Sequence, residues 1–274
     1  MINRYNVVVM ERIPVSQVRR ARQDSAVAAF LKDKKIGDFQ NRDSDTPYLV
    51  NRDADQYEEL LPTFGGLTFT DHFLRRQNES QDPVSVLDIG CGEAKFIREL
   101  KEAHPATHVS GLSVTDLRNE DLGGIQTPWS DVDYRTGDMH RVERIFEDKK
   151  FDFVVSVWAL FHSADPLDVV KQAYQLLKPD GIAFLQSPDI RITQQERDQL
   201  IQFWAQLGIT VELQGDLDHL ASTPNHTIED IYNISFQRTT APKLHMPFSY
   251  ASGHTDEGPP PSIYRVNIKN ESKS

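Results

Sequence analysis

A short run of small and acidic residues carries the strongest chemical signal in this sequence. Residues 84–93 read VSVLDIGCGE, which places the carboxyl group of Asp88 just before Gly90 and Gly92, with Cys91 between the glycines. Glycines at this spacing let the backbone turn sharply and approach a ligand, and the start of a following helix offers free N–H groups. The pattern predicts a ligand-binding turn.

A dinucleotide-binding loop is the first candidate for such a turn, and two positions count against it. That loop carries a third glycine where this sequence has Lys95, and an acidic residue about twenty residues further on, where it has Ser113. A pyrophosphate-binding turn also has no use for the carboxylate of Asp88. The sequence therefore disfavours NAD.

The elements that must position this turn alternate between apolar runs and amphipathic stretches. Strands are predicted over residues 84–89, 108–112, 132–134, 151–158, 182–186 and 209–213. Helices are predicted over residues 93–103, 166–177 and 194–207. This alternation is typical of βαβ units and of a parallel sheet with helices on both faces. Later polar-apolar alternation around Ile234 and Val266 predicts antiparallel edge strands, so the expected fold class is α/β.

At these positions the chain resembles the class I S-adenosylmethionine-dependent methyltransferases. In that family the first strand ends in an acidic-x-G-x-G motif, which residues 88–92 match. Residues 137–139 (GDM) follow the third strand, and residues 151–162 resemble the fourth strand with its active-site loop. Residues 176–181 (LLKPDG) are similar to the family's L-K-P-G-G turn, with Asp180 replacing one glycine. The resemblance covers roughly residues 83–240.

The resemblance implies a doubly wound, mostly parallel Rossmann-like sheet and S-adenosyl-L-methionine as the cofactor. It implies that Asp88 serves the cationic amino-acid end of the cofactor, and that the turn lies against its ribose and methionine portions. The cofactor-binding residues of that turn would be Gly90, Cys91 and Gly92. Asp138, followed by Met139, would accept a hydrogen bond from the adenine amine.

One position departs from the family pattern. The family's second strand usually ends in Asp or Glu, which binds both ribose hydroxyls, whereas this chain has Ser113 there. A serine hydroxyl can still bind a ribose, but without the strength of a charged acceptor. Asp116 is close enough in sequence to substitute for the missing carboxylate.

Three residues are candidates for the acceptor side of the site. His162 lies in the loop after the fourth strand and titrates near neutral pH, which suits a general base, although a purely conformational role is an equal alternative. Trp158 would line the acceptor pocket or pack in the core. Tyr57 would contact the substrate from a segment folded over the site, with core packing as its alternative.

Three parts of the chain differ in pattern. Residues 1–80 are charge-rich and are predicted to form a helical N-terminal lid. Residues 81–240 form the predicted methyltransferase core, and residues 241–274 a C-terminal extension with an edge strand.

Composition excludes several classes of protein. The 274 residues carry a net charge of −11, which disfavours a nucleic-acid partner. Cys91 is the only cysteine and the nine histidines are scattered, so neither a disulfide framework nor a zinc site is expected. No window approaches the ~20 apolar residues of a membrane span, and we expect a cytoplasmic protein without a membrane partner.

The sequence thus predicts a methyltransferase acting on an O or N atom of a small molecule, with proximity as the main source of catalysis. Two alternatives stay open. One is an enzyme that binds S-adenosylmethionine for chemistry other than methylation. The other is a non-enzymatic interaction protein on the same fold.

Overall fold

The computed structural model of the protein describes residues 54–114, 116, 118, 125–160, 163, 165–217 and 227–239, and two short strands at 249–251 and 264–266. Its strands are β1 (Ser85–Ile89), β2 (His108–Ser113), β3 (Val132–Thr136), β4 (Phe151–Ser156), β5 (Leu177–Thr193), β6 (Val211–Leu217), β7 (Ile228–Gln237), β8 (Ser249–Ala251) and β9 (Tyr264–Val266). Its α-helices are α1 (Ala54–Leu60), α2 (Phe69–Glu79), α3 (Lys95–Ala103), α4 (Val142–Ile145), α5 (Pro166–Leu176) and α6 (Gln194–Gln206).

Seven of the strands form one sheet in the order β3-β2-β1-β4-β5-β7-β6. The pairs β3–β2, β2–β1, β1–β4 and β4–β5 are parallel, and β7 runs antiparallel to both of its neighbours. The strand order reverses between β1 and β4, and in open α/β sheets ligands bind at such a point, beyond the carboxyl ends of the strands. The α/β class and the mostly parallel sheet are confirmed.

Local sequence fixes where the helices begin. Thr68 and Asp71 form a reciprocal capping box at the start of α2, and Thr193 and Glu196 form another at the start of α6. Such boxes satisfy two of the backbone N–H groups that a helix end leaves without partners. At α5, the Asp165 side chain caps the first turn ahead of a proline, whose missing N–H costs nothing there.

Two apolar layers cover the two faces of the sheet. The first unites buried side chains of the sheet, such as Leu87 and Val154, with those of α4, α5 and α6. The second unites Val86 and Phe153 with an aromatic cluster from α1, α2 and α3. Within it, α1 and α2, which belong to the predicted lid, supply Tyr57, Phe69 and Phe73. The described part of this segment therefore packs directly on the sheet, while the boundary at residue 80 stays a prediction.

Two parts of the sheet differ in detail from the sequence prediction. The expected turn at residues 178–181 ends α5, but it forms the irregular start of β5, where the pairing with β4 shifts between Phe151 and Phe153. The prediction that residues near Val266 add an edge strand to the same sheet is wrong, since β9 pairs with β8 in a separate two-stranded sheet. Pairing with a nearby segment costs less chain entropy than returning to a distant edge.

Candidate active site

The glycine turn leaves β1 at the point where the strand order reverses. The backbone N–H groups of Gly90 and Cys91 both donate to the Leu112 carbonyl of β2, at 2.8 and 3.0 Å. Gly90 has a φ of +83°, and a Cβ there would lie 2.1 Å from the Cβ of Ala159. Gly92 has a φ of +54°, and a Cβ added to it would meet no atom of the described residues within 4 Å, so within that part of the chain the turn leaves open space. A ligand can thus approach this backbone closely.

Asp88 places a carboxyl group beneath this turn, fully buried on β1. Its Oδ2 accepts a hydrogen bond from the Tyr57 hydroxyl at 2.9 Å, while its Oδ1 has no hydrogen-bond partner among the residues that the structure describes. Burial raises the pKa of Asp88 to about 7, although the Tyr57 hydrogen bond opposes that rise. A buried carboxyl with one unused oxygen is suited to a cationic or hydrogen-bond-donating ligand.

Cys91 lies inside the turn as a buried thiol. Its Sγ donates a weak hydrogen bond to the Gly92 carbonyl at 3.8 Å, and a Cβ on Gly111 of β2 would lie only 2.6 Å from that sulfur. Burial, and secondly the charge of Asp88, raise the pKa of the Cys91 thiol well above its usual range. A thiol in this state is a packing group rather than a nucleophile.

Ser113, the predicted ribose ligand, ends β2 and is buried. Its carbonyl accepts from the N–H of Gly137, which joins it to the turn after β3. Asp116 is not a free substitute for the missing acid, because Arg118 binds its carboxylate, with Nε 2.8 Å from Oδ1. These bonds from Arg118 lower the pKa of Asp116 to about 2.

The predicted adenine-binding residues lie at the same edge, in the turn after β3. The Asp138 side chain caps a short 3-10 helix (Met139–Arg141) by accepting from the N–H of His140 at 2.9 Å. The Met139 side chain is partly buried against the first apolar layer. The nearby Tyr134 hydroxyl donates to the Gly92 carbonyl at 2.8 Å and so connects β3 with the glycine turn.

Trp158 and Tyr57, the predicted acceptor contacts, have opposite environments. Trp158 follows β4 and is half exposed, with a φ of +53° that is rare for an aromatic residue. Its backbone N–H donates to Oε1 of Gln186 at 3.1 Å. Tyr57 is buried, and its hydroxyl is bound by Asp88, so a contact between Tyr57 and an acceptor stays a prediction.

The predicted base, His162, lies outside the described residues. Among the described residues, the structure shows a polar network that sequence reasoning missed, and it includes Ser163, the next residue in the chain. Ser163 Oγ lies 2.8 Å from Nε2 of His140, and Nδ1 of that histidine lies 3.4 Å from Oδ2 of Asp168. Gln172 donates to the same Asp168 oxygen and to the His140 carbonyl. The network ties the turn after β3 to the loop after β4.

These groups fit S-adenosyl-L-methionine. Asp88 offers an unused carboxylate oxygen to the ammonium end of the cofactor, and the turn at Gly92 leaves room for its chain. Within the residues that the structure describes, no three His, Cys, Asp or Glu side chains are grouped to hold a metal ion. None of the helices described is long and apolar enough to cross a membrane.

Comparison with known proteins agrees with this geometry. A family model described as a methyltransferase domain matches residues 55–231. Cycloartenol-C-24-methyltransferase 1 of Oryza sativa subsp. japonica is 30% identical over 112 residues, which are 40% of this chain and 32% of that protein. A malonyl-acyl-carrier-protein O-methyltransferase of Halalkalibacterium halodurans is 28% identical over 152 residues, 54% of this chain and 55% of that protein. The chain thus spans about a third to about half of these relatives.

A solved structure of the plantazolicin methyltransferase BpumL, in complex with a substrate analogue and S-adenosylhomocysteine, covers 81% of this chain and 97% of its own, at 11% identity and a TM-score of 0.48. The family match is the stronger finding, since it extends over more than half of the chain and includes β1, the glycine turn and the strands around them. The chain belongs to the methyltransferase-domain family.

Proposed function

We propose that the protein transfers the methyl group of S-adenosyl-L-methionine to an O or N atom of a small molecule. The observation that carries this proposal is the buried Asp88 carboxyl, whose Oδ1 has no partner among the described residues and lies next to the glycine turn at the reversal of the strand order. A small acceptor agrees with the net charge of −11, because a nucleic-acid substrate needs a basic surface.

On the cofactor side, each residue has a distinct proposed task. Asp88 binds the ammonium group of the amino-acid end, and the backbone of Gly90, Cys91 and Gly92 lies against the ribose and methionine portions. The Ser113 hydroxyl binds the ribose, in the place of the usual carboxylate. Asp138 accepts from the adenine amine, with Met139 packed beside it. The cofactor itself supplies a methyl group activated by its sulfonium.

On the acceptor side, positioning is the main contribution of the protein. An in-line displacement needs the acceptor atom held in line with the methyl group, and Trp158 presents a half-exposed aromatic surface at the same edge of the sheet. His162 is proposed as the base that takes the acceptor's proton, and Tyr57 as a further acceptor contact. The network of Ser163, His140 and Asp168 holds Ser163, which follows His162 in the chain.

A carbon acceptor is the second candidate. Several curated relatives are named sterol 24-C-methyltransferases, such as that of Aspergillus fumigatus, 29% identical over 127 residues. The exposed indole of Trp158 suits this candidate too, since an aromatic face stabilises both apolar and cationic groups.

Calorimetric titration with S-adenosylmethionine and S-adenosylhomocysteine tests the cofactor site. The wild type should bind both. Gly90→Ala should weaken binding about tenfold or more, because the new Cβ collides with Ala159 and displaces the turn. Gly208→Ala is the matched control, since Gly208 has a φ of +72° but lies after α6, where Oγ1 of Thr239 would be 4.0 Å from an added Cβ. Circular dichroism checks that both variants fold.

A panel of O, N and C acceptors then tests the reaction, with S-adenosylhomocysteine formation as the readout. Turnover with small O or N acceptors supports the proposal, and turnover confined to carbon acceptors supports the second candidate. Binding without turnover over the whole panel would favour chemistry other than methylation. Absence of binding by the wild type would contradict the cofactor site and favour an interaction protein.

A further inference from the structure

The hydrogen bond between Tyr57 and Asp88 joins two segments that are 31 residues apart. Tyr57 lies on α1, and its ring stacks on Phe96 of α3 with 4.1 Å between centroids and 4° between planes. This stacking fixes the ring, so the hydroxyl has one position and it reaches Oδ2 of Asp88 at 2.9 Å. The free Oδ1 is thereby also held in one orientation.

No cation compensates Asp88 among the residues that the structure describes. On the neighbouring strands the residues opposite it are Gly111 and Val155. Charged groups on α1, α2 and α3, the helices packed on this face of the sheet, have other partners. On α3, Lys95 pairs with Glu99 and Arg98 donates to the Thr127 carbonyl. On α1 and α2, Glu58 accepts from Thr70 and His72 contacts the Phe64 carbonyl. The buried Cys91 is the other titratable group that senses Asp88. Within the described part of the chain, Tyr57 is thus the one side chain that stabilises the ionised carboxyl.

From this arrangement we infer that Tyr57 is a positioning residue, an inference that rests on the proposed cofactor site. Through its bond to Asp88, Tyr57 orients that carboxyl toward the cationic end of the cofactor. The same bond couples cofactor binding to the release of a proton. The proton and the charge are balanced in this step. The acid form of Asp88 loses its O–H proton to solvent, and the resulting carboxylate binds the incoming ammonium group.

The direction of the pH dependence follows from the burial of Asp88. Because its pKa is raised to about 7, a fraction of the carboxyl is protonated near neutrality and must ionise on binding. Cofactor affinity should therefore fall as the pH drops below about 7. Removal of the Tyr57 hydroxyl removes a bond that favours the ionised form, so the pKa rises further and the loss of affinity begins at a higher pH.

The test is titration calorimetry with S-adenosylhomocysteine, which keeps the ammonium group, from about pH 5.5 to 8.5 in two buffers of different ionisation enthalpy. The buffer difference counts the protons released. For the wild type we expect release of a proton below pH 7. For Tyr57→Phe we expect the midpoint of the affinity profile to move up by about one pH unit, with about tenfold weaker binding at pH 6.5 and recovery toward pH 8.5. Asp88→Asn should bind weakly at every pH and release no proton.

Tyr134→Phe is the matched control, because the Tyr134 hydroxyl reaches the same turn but donates to the Gly92 carbonyl. It should leave the midpoint and the proton count unchanged. A Tyr57→Phe variant that loses affinity equally at every pH would reduce Tyr57 to a packing role and overturn the inference. So would wild-type binding that is independent of pH. Failure of the wild type to bind at any pH would instead overturn the proposed function.

Discussion

Two buried aspartates on neighbouring strands of the same sheet have opposite surroundings. Asp152 is the second residue of β4, at the amino end of the sheet. Its Oδ2 accepts from the Ser85 N–H, the Ser85 hydroxyl and Lys178 Nζ at 2.9, 2.8 and 2.7 Å. Arg76 lies 3.7 Å from its other oxygen. Asp88 lies near the carboxyl end of β1 and has one neutral donor, Tyr57.

The pKa values of Asp152 and Asp88 shift in opposite directions because of this difference. The bonds from Lys178 and Ser85 outweigh burial and lower the pKa of Asp152, whereas burial outweighs the single bond of Tyr57 and raises that of Asp88. A carboxylate whose acceptors are filled stabilises the fold, and one that is left unfilled costs stability until a ligand binds. Asp152, at the amino end of the sheet, thus stabilises the fold, whereas Asp88, at the carboxyl end, is suited to binding a ligand.

Exchange of each aspartate for asparagine should separate these two roles, and it should give the largest effect. Asp152→Asn removes the charge that Lys178 pairs with, and we expect a loss of about 3 kcal/mol in the free energy of unfolding. Its affinity for S-adenosylhomocysteine should stay close to that of the wild type under native conditions. Urea unfolding and calorimetric titration measure the two quantities.

Asp88→Asn is the counterpart and should show the reverse. It should lose cofactor affinity by about ten- to a hundredfold, because a charge-assisted bond is lost, yet be at least as stable as the wild type at pH 7. If Asp88→Asn unfolded as easily as Asp152→Asn, the contrast between the two ends of the sheet would be wrong.

The pH dependence of stability sharpens the contrast further. The folded pKa of Asp88, about 7, lies above the ordinary value of 3.8, so the native state binds the extra proton between these limits. Stability from this group is therefore fully present below about pH 3.8 and is lost as the pH rises through about 7. Between pH 5 and 8, wild-type stability should fall relative to Asp88→Asn by about 2 kcal/mol. Urea midpoints measured across this range for both proteins check it, and parallel curves would contradict it.

Much of this architecture follows from local pattern. The strand-turn-helix signal around Gly90, the sheet and the end of α5 near residue 177 depend on short-range periodicity and turn chemistry, which one sequence records. The pairing of Tyr57 with Asp88 does not follow from local pattern, because Tyr57 reaches Asp88 only through the stacking of α1 on α3. The contact between His140 and Ser163 likewise joins two loops 23 residues apart. Packing, rather than local pattern, creates such pairs.

The smallest expected effect concerns two non-glycine residues with left-handed backbone at opposite ends of the sheet. Trp158 (φ +53°) follows β4 at the carboxyl end, and Asp180 (φ +61°) lies in the irregular start of β5, where its carbonyl accepts from Arg76. Such a conformation costs about 1 kcal/mol, which glycine avoids. Asp180→Gly should therefore raise the free energy of unfolding by up to about 1 kcal/mol and leave turnover unchanged.

Trp158→Gly relieves the same strain but also removes the half-buried indole, so its net change in stability should be under about 1 kcal/mol. Turnover of the acceptor identified by the panel should fall about tenfold or more, because the aromatic contact is lost. Urea unfolding and steady-state kinetics of the two variants measure this difference. Equal turnover in both would mean that the strain at Trp158 serves no acceptor contact. A loss of turnover in Trp158→Gly alone would show that the strained residue at the carboxyl end of the sheet contacts the substrate.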